Sequence, residues 1–434
     1  MNDGFAAWWA DRHRATRFEV RRIPFAKLDR WDFEPGSGNL AHESGSFFTV
    51  EGLRVRNDDR RSWSQPIINQ PEIGILGVLV KDVDGEPHCL MQAKMEPGNV
   101  NTLQLSPTVQ ATRSNFTRVH RGGTTRHLEH FAGSGRGKVL VDSLQSEQGA
   151  WFWHKHNRNM VVEATAEVPE HEDFRWLPLH RLRRLMRRPN LVNMDARTVL
   201  ACMRFTPPED AADPFTGALV RSYRARSGLH TTAEVLSWLT EARTRCDWRT
   251  RLIPLGEVSG WSRTDDEILH DEGKSFRILA VEVEAGNREV TRWSQPLLAP
   301  RGKGLAAFLT RAVDGVLHLL VQTRLEPGLR DVVELAPTLQ LSAGDDPGDR
   351  PYARELLAAD RGRVRFDTVM SEEGGRFYHA QTRYLVVEAD PGLPPEVPED
   401  FRWVTVRQLM DLLRHGHYVN VEARSLIACL HSLW

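Results

Sequence analysis

Ionisable side chains gather most densely between Thr112 and Phe131, where TRSNFTRVHRGGTTRHLEHF places Arg113, Arg118, His120, Arg121, Arg126, His127, Glu129 and His130 around Gly122-Gly123. Imidazoles and a carboxylate can move protons near neutral pH, and bare glycine backbone can approach phosphate oxygens. A solvated charged loop has a similar composition, but the mixture of His, Glu and a Gly pair favours a site. A second concentration follows the turn Ser146-Glu147-Gln148-Gly149: Trp151, Trp153, His154, Lys155, His156 and Arg158, along what reads as a strand. Alternate strand residues share a face, so several of these groups meet on one surface, as they also do on a solvated sheet. Together the two regions offer His120, His127, Glu129, Glu147 and Lys155 as acids, bases or oxyanion partners.

Other motifs occur in pairs. Trp63-Ser64-Gln65-Pro66 returns as Trp293-Ser294-Gln295-Pro296. Each indole is either packing or, if the proline marks a rim loop, a stacking platform beside a glutamine that reads a base edge. Lys94 in KMEPG and Arg324 in RLEPG end apolar strands beside a carboxylate. They fit strand-end ion pairs before a Pro-Gly turn and equally fit cations for a diphosphate. Thr108 and Thr338 close the paired segments LSPT and LAPT, and Glu372 and Tyr378 lie in the second copy of the SEQG region.

The elements that position these groups come from one duplication. At an offset near 230, Trp8 matches Trp238 and Trp31 matches Trp261; at 225, Val161 to Ala164 match Val386 to Ala389; at 227, Glu172 to Trp176 match Glu399 to Trp403. A period this long is a whole domain rather than a solenoid unit. The expected organisation is a first domain over 1–205, a polar Pro- and Gly-containing linker over 206–230, and a second domain over 231–434 opened by the capping box Thr231-x-x-Glu234. Within each copy, short alternating apolar segments predict antiparallel strands, with Lys138 to Gln145, Ala150 to His156 and Met160 to Thr165 as a meander. Helices follow over Pro178 to Arg188 and after the cap Asn193, so each domain is α+β, a mixed sheet with packed helices.

Composition narrows the function classes. With 57 basic and 58 acidic residues, no global field selects nucleic acid or an anionic membrane. The longest apolar run, Ile73 to Val80, is far below the ~20 residues that span a bilayer and reads as a buried strand. The charged opening MNDGFAAWWADRHRATRFEVRR lacks an apolar signal region, so a cytoplasmic location is expected. Cys89, Cys202, Cys246 and Cys429 have no metal-ligand spacing and read as unpaired thiols. No GxGxxG, Walker A, GxSxG or HExxH motif stands in a useful context, which leaves chemistry done by ordinary side chains.

The long segments EPGNVNTLQLSPTVQATRSNFTRVHRGG, QSEQGAWFWHKHNRNMVVE and SEEGGRFYHAQTRYLVVE closely resemble the NDP-hexose 2,3-dehydratases of deoxysugar antibiotic pathways, and the similarity spans essentially the whole chain. The resemblance implies a tandem Nudix-like fold, a homodimer, and dTDP-4-keto-6-deoxyglucose as substrate. It also implies that no metal or redox cofactor is used, since the REUXEE carboxylate run of Nudix hydrolases occurs in neither copy. The implied reaction removes the C3 proton, stabilises the enolate at the C4 oxygen and expels the C2 hydroxyl. On this reading His120 or Glu147 is the base, and Lys155 or Arg121 faces the oxyanion. The unstable 3,4-diketo product calls for a downstream 3-ketoreductase. A metal-dependent sugar-nucleotide hydrolase and a non-catalytic nucleotide-sugar binder are the competing readings.

Overall fold

The computed structural model describes residues 4–15, 17–59, 62–112, 125–133, 137–204, 206–208, 211–286 and 291–434. The architecture is α+β, with four sheets and helices packed against them. One seven-stranded sheet runs Lys138–Ser146, His156–Glu163, Gly74–Val83, Glu86–Met95, Phe174–Pro178, with Leu103–Ser106 and Val109–Ala111 attached to its two central strands. The other seven-stranded sheet has Val364–Ser371, Gln381–Glu388, Lys303–Val313, Val316–Leu325 and Phe401–Thr405 in the same spatial sequence, with Val333–Pro337 and Leu339–Leu341 attached. In each sheet one internal pair is parallel: Gly74–Val83 with His156–Glu163, and Lys303–Val313 with Gln381–Glu388. Gly74–Val83 and Lys303–Val313 are apolar over most of their length because both faces are covered.

The remaining sheets tie the halves of the chain together by reciprocal exchange. Phe18–Ile23 pairs antiparallel with Phe276–Ala285, and Arg249–Ile253 pairs antiparallel with Thr49–Arg56. Between the large sheets, the helices Met194–Ala201 and Val421–Leu430 pack against one another, capped by Asn193 and Asn420, whose side chains accept from the Ala196 and Ala423 amides. Each helix buries an arginine that reaches the opposite half. Arg197 donates to the Ser371 carbonyl at 3.0 Å, and Arg424 donates to the Ser146 carbonyl. Both side chains are fully buried, so their hydrogen bonds fix how the halves dock.

Several sequence expectations hold, including the Thr231/Glu234 capping box and the buried strand within Ile73 to Val80. Others need correction. The expected meander is broken: Lys138–Ser146 does pair with His156–Glu163, but Phe152–Trp153 leaves that sheet to pair parallel with Ile68 and Asn69. WSQP is not a rim loop in either copy. It lies inside the strands Ser62–Asn69 and Arg292–Pro300, where Pro66 and Pro296 face a side without a ladder partner, the position a strand proline tolerates. The 206–230 segment contains a buried helix, Pro214–Arg224, because Pro214 follows the capping Asp213 at the first helical position instead of breaking the helix.

Candidate active site

A cavity of about 950 Å³ opens between the first large sheet and elements from the second half of the chain. It lies at the upper end of the ~300–1,000 Å³ usual for small-molecule sites. Strand Glu86–Met95 brings Lys94, and the turn beyond it brings Glu96, paired at 3.3 Å. Gln110 donates to Glu96 at 2.8 Å. The segment after the SEQG turn adds Lys155 and Asn157, and the first turn of the Met194–Ala201 helix adds Asp195. Glu373 and Arg376 come from the second copy of that turn, so both halves build this one cavity. Arg376 donates to Gln70 at 3.0 Å and lies 4.4 Å over the Phe48 ring. Trp293 and Gln295 line the cavity from the second half, with the indole N–H donating to Gln295 at 3.0 Å.

Burial tunes these groups. Lys155 donates to the Glu72 carbonyl, and desolvation brings its pKa down to about 8 despite the opposing charges of Glu373 and Glu147. Desolvation, reinforced by Glu373, pushes Glu147 up to about 7. Asp195 is raised well above the usual carboxylate range by burial first and then by Glu373, Glu147 and Glu96. Glu373 is raised by burial against the pull of Arg376. Ammonium, guanidinium and carboxyl groups thus share a low-dielectric space, where their interactions with a developing charge are far stronger than in water.

The corresponding position in the second half is nearly closed. A cavity of about 30 Å³, room for roughly one water, is lined by Gln148, Trp151, Glu326, Gln340 and Glu422. Trp151 stands where Arg376 stands in the first site, and its ring meets Phe377 edge-on at 4.6 Å. Arg324 there pairs with Glu326 at 3.1 Å and donates to the Gln340 carbonyl.

Lys94, Thr108, Lys155, Trp293 and Gln295 therefore converge on the large cavity. Thr108 and Thr338 each donate to a strand carbonyl and accept a strand amide, so both hydroxyls lock the sheet. Glu147 is buried one layer back, where its Oε1 accepts from Asn157 at 2.7 Å and its Oε2 has no hydrogen bond among the described residues. Glu372 similarly accepts from the Tyr384 hydroxyl. Trp63 packs edge-on to Trp248, 5.0 Å between centroids, and Gln65 donates to the Ala150 carbonyl. Tyr378 stacks on His379. His127 is buried against Phe174. It forms with Glu129 and His130 a group whose ligand atoms lie within 4.8 Å of one another; none of the three lines the large cavity, but His127 backs the lining residues Arg126 and Phe174. His120 and Arg121 lie outside the described residues.

Sequence reasoning passed over Gln110, Asn157, Asp195 and Glu373. Gln110 and Asp195 carried a weak signal, a polar residue between the apolar pairs Val109/Ala111 and Met194/Ala196, whereas Asn157 and Glu373 stand among other polar residues and carried none. What it could not give is that Glu373 and Arg376 serve the cavity of the other copy.

A cavity of this size, shared by the two halves and lined by mutually perturbed carboxyls, an ammonium and a guanidinium, defines an acid–base enzyme acting on a small polar molecule. The chain matches the NDP-hexose 2,3-dehydratase family over residues 2–203 and again over 232–430, and it belongs to that family. It is similar to the dTDP-4-dehydro-6-deoxy-alpha-D-glucopyranose 2,3-dehydratase of Streptomyces violaceoruber, at 52% identity over 99% of this chain and 97% of the relative. It is also similar to the enzymes of that name from Saccharopolyspora spinosa, at 50% over 99% and 91%, and Amycolatopsis orientalis, at 47% over 98% and 89%. A solved ADP-compound hydrolase overlaps 32% of this chain and 75% of its own at 20% identity, with a TM-score of 0.21, too low to bear on the fold.

Proposed function

We propose that this dehydratase acts on dTDP-4-keto-6-deoxyglucose, removing water across C2 and C3 to give the 3,4-diketo-2,6-dideoxy sugar nucleotide. The observation that carries the reading is identity near 50%, over almost the full length, to three enzymes named for that reaction. The cavity supports it. Trp293 stacks the thymine, and Lys94, Arg126 and Arg292 supply cations for the diphosphate. The Lys155 ammonium faces the C4 oxygen, where negative charge grows as the C3 proton leaves. Glu373, within the cavity, takes that proton. The electron pair then forms the C2–C3 double bond while the C2 oxygen departs. The resulting enol gains a proton at C2 and loses its C3 hydroxyl proton, so the net change is loss of one water. Glu147, behind Asn157, tunes Lys155 through its charge; His120 and His127 border the same region in sequence.

Matching strand orders in the two large sheets, and two matches to one family, support an origin as a tandem repeat of a Nudix-like unit, with domains 1–205 and 231–434. The first supplies most of the catalytic wall. Exposed Val139, Leu140 and Leu144 on the edge strand Lys138–Ser146 support a homodimer contact. Among the described residues no helix is long and apolar enough to cross a membrane. A cytoplasmic place in deoxysugar antibiotic synthesis, with a 3-ketoreductase consuming the product, follows from the same reading.

The test is to incubate chelator-treated protein with dTDP-4-keto-6-deoxyglucose in deuterated buffer and follow the sugar by mass spectrometry and NMR. Loss of water with release of dTDP from a decaying diketo sugar is expected. An intact substrate that is cleaved at the diphosphate only when magnesium is added would overturn the reading.

A further inference from the structure

Among the carboxyl groups of the catalytic cavity and its wall, Glu96, Glu147, Glu373 and Asp195 lie close enough to act on one another's charge, and their partners distinguish them. Glu96 is held by Lys94 at 3.3 Å and by Gln110 at 2.8 Å. Glu147 is sealed behind Asn157. Glu373 has the Arg376 guanidinium as its strongest favourable neighbour. Asp195 shares with Glu373 the lack of a hydrogen bond or ion pair among the described residues, but its largest charged neighbours are carboxyls, whereas that of Glu373 is a guanidinium. Asp195 is 3% exposed and lines the cavity, yet among the described residues nothing donates a hydrogen bond to its carboxyl and no cation pairs with it. A buried carboxyl in that setting is costly as an anion and keeps its proton, which makes it a donor.

Its place is fixed by the fold. Asn193 caps the Met194–Ala201 helix by accepting from the Ala196 amide at 2.8 Å, and Arg197 on the same helix is anchored to the Ser371 carbonyl of the other half. The backbone of Asp195 is therefore held between two buried anchors. In the near-closed second cavity the corresponding residue is Glu422, whose Oε2 is buried without a hydrogen bond.

We propose that Asp195 is the general acid of the dehydration, protonating the C2 oxygen as the C2–O bond breaks. The inference rests on the dehydratase reading above and assigns the one role that reading leaves open. The balance is simple: Glu373 takes the C3 proton, the C3–H electron pair becomes the C2–C3 double bond, and the C2–O electron pair leaves with the Asp195 proton as water. The Asp195 carboxylate regains a proton as the enol collapses to the ketone. Burial and the nearby charges of Glu373, Glu147 and Glu96, opposed by Lys94, favour the neutral form between turnovers.

The test compares two substrates, dTDP-4-keto-6-deoxyglucose and its 2-deoxy-2-fluoro analogue, with wild type and Asp195→Asn. Fluoride departs without a proton, so a variant lacking only the acid regains activity on it. Expected is a loss on the order of 10²–10⁴-fold with the hydroxyl substrate, and fluoride release close to the wild-type rate. Equal loss on both substrates would assign Asp195 to proton abstraction or to structure and overturn the proposal. If Asp195→Asn does not fold, wild type decides: solvent deuterium should slow C–O cleavage but not C–F cleavage, and equal effects overturn it. Failure of wild type to dehydrate the hydroxyl substrate would instead sink the underlying functional reading.

Discussion

Arg376 and Trp151 occupy corresponding places in the two halves, 225 residues apart, and each lines the cavity formed mainly by the other half: Arg376 the 950 Å³ cavity, Trp151 the 30 Å³ one. A guanidinium leaves polar space beside it, whereas an indole fills that space and packs edge-on against Phe377. This single difference goes far to explain why one cavity is open and the other is not.

Arg376→Trp should therefore fill the large cavity. The expected outcome is a fall in kcat/KM of at least about 100-fold, the loss of one preorganised charge together with space, while the melting temperature stays near wild type. Steady-state kinetics and a thermal melt check both halves of the statement.

Lys155 carries the charge meant for the C4 oxygen, and burial places its pKa at about 8. Lys155→Met should lower kcat on the order of 10²–10³-fold. In wild type, the rate should decline as pH rises through about 8 and the ammonium is lost. A pH–rate profile that is flat from pH 7 to 9 would remove Lys155 from this role.

Glu147 makes a stability prediction with a definite sign. Its folded pKa of about 7 exceeds the ordinary 4.5, so between those values the folded state binds more protons than the unfolded one. Stability contributed by the neutral carboxyl is fully present below pH 4.5 and is lost as pH rises to about 7. Glu334, also raised to about 7 by burial, acts in the same window. Glu147→Gln should stabilise the protein by about 1–3 kcal/mol at pH 8 and little at pH 4.5, read from melting temperatures across pH.

Two tryptophans in identical motifs should behave differently. Trp293 lines the large cavity, so Trp293→Ala should weaken dTDP binding by about 1–3 kcal/mol, the worth of one stacked base. Trp63 packs on Trp248, so Trp63→Ala should lower the melting temperature and leave dTDP affinity unchanged. Titration calorimetry with dTDP separates the two effects.

Gly98 marks a close backbone approach between the halves. A Cβ there would lie 1.8 Å from the Phe377 carbonyl oxygen, and the Gly98 amide donates to Gly374 at 2.8 Å. Gly98→Ala should destabilise the fold by about 3 kcal/mol or more, visible as lost soluble yield or an early melt. Gly328, where a Cβ would lie 2.0 Å from the Phe152 carbonyl oxygen, should respond alike.

Local chemistry was legible in the sequence. The caps at Asn193 and Thr231, the buried strand after Ile73, the α+β composition and the ion pairs at Lys94 and Arg324 all depend on residues a few positions apart, whose preferences act without the rest of the chain. The internal sequence matches and the family resemblance were legible for the same reason, as order along one line. Contacts between distant residues were not. Phe18–Ile23 and Arg249–Ile253 cross to the opposite half, WSQP became edge strand instead of rim, and Glu373 and Arg376 joined a cavity whose other wall lies about 200 residues earlier. Asp195 became a candidate acid only once packing had buried its carboxyl on the cavity wall with no donor to it among the described residues. Burial and desolvation are properties of the three-dimensional surroundings, so the sequence determined which groups were available and the tertiary structure decided which of them meet, and in what state of charge.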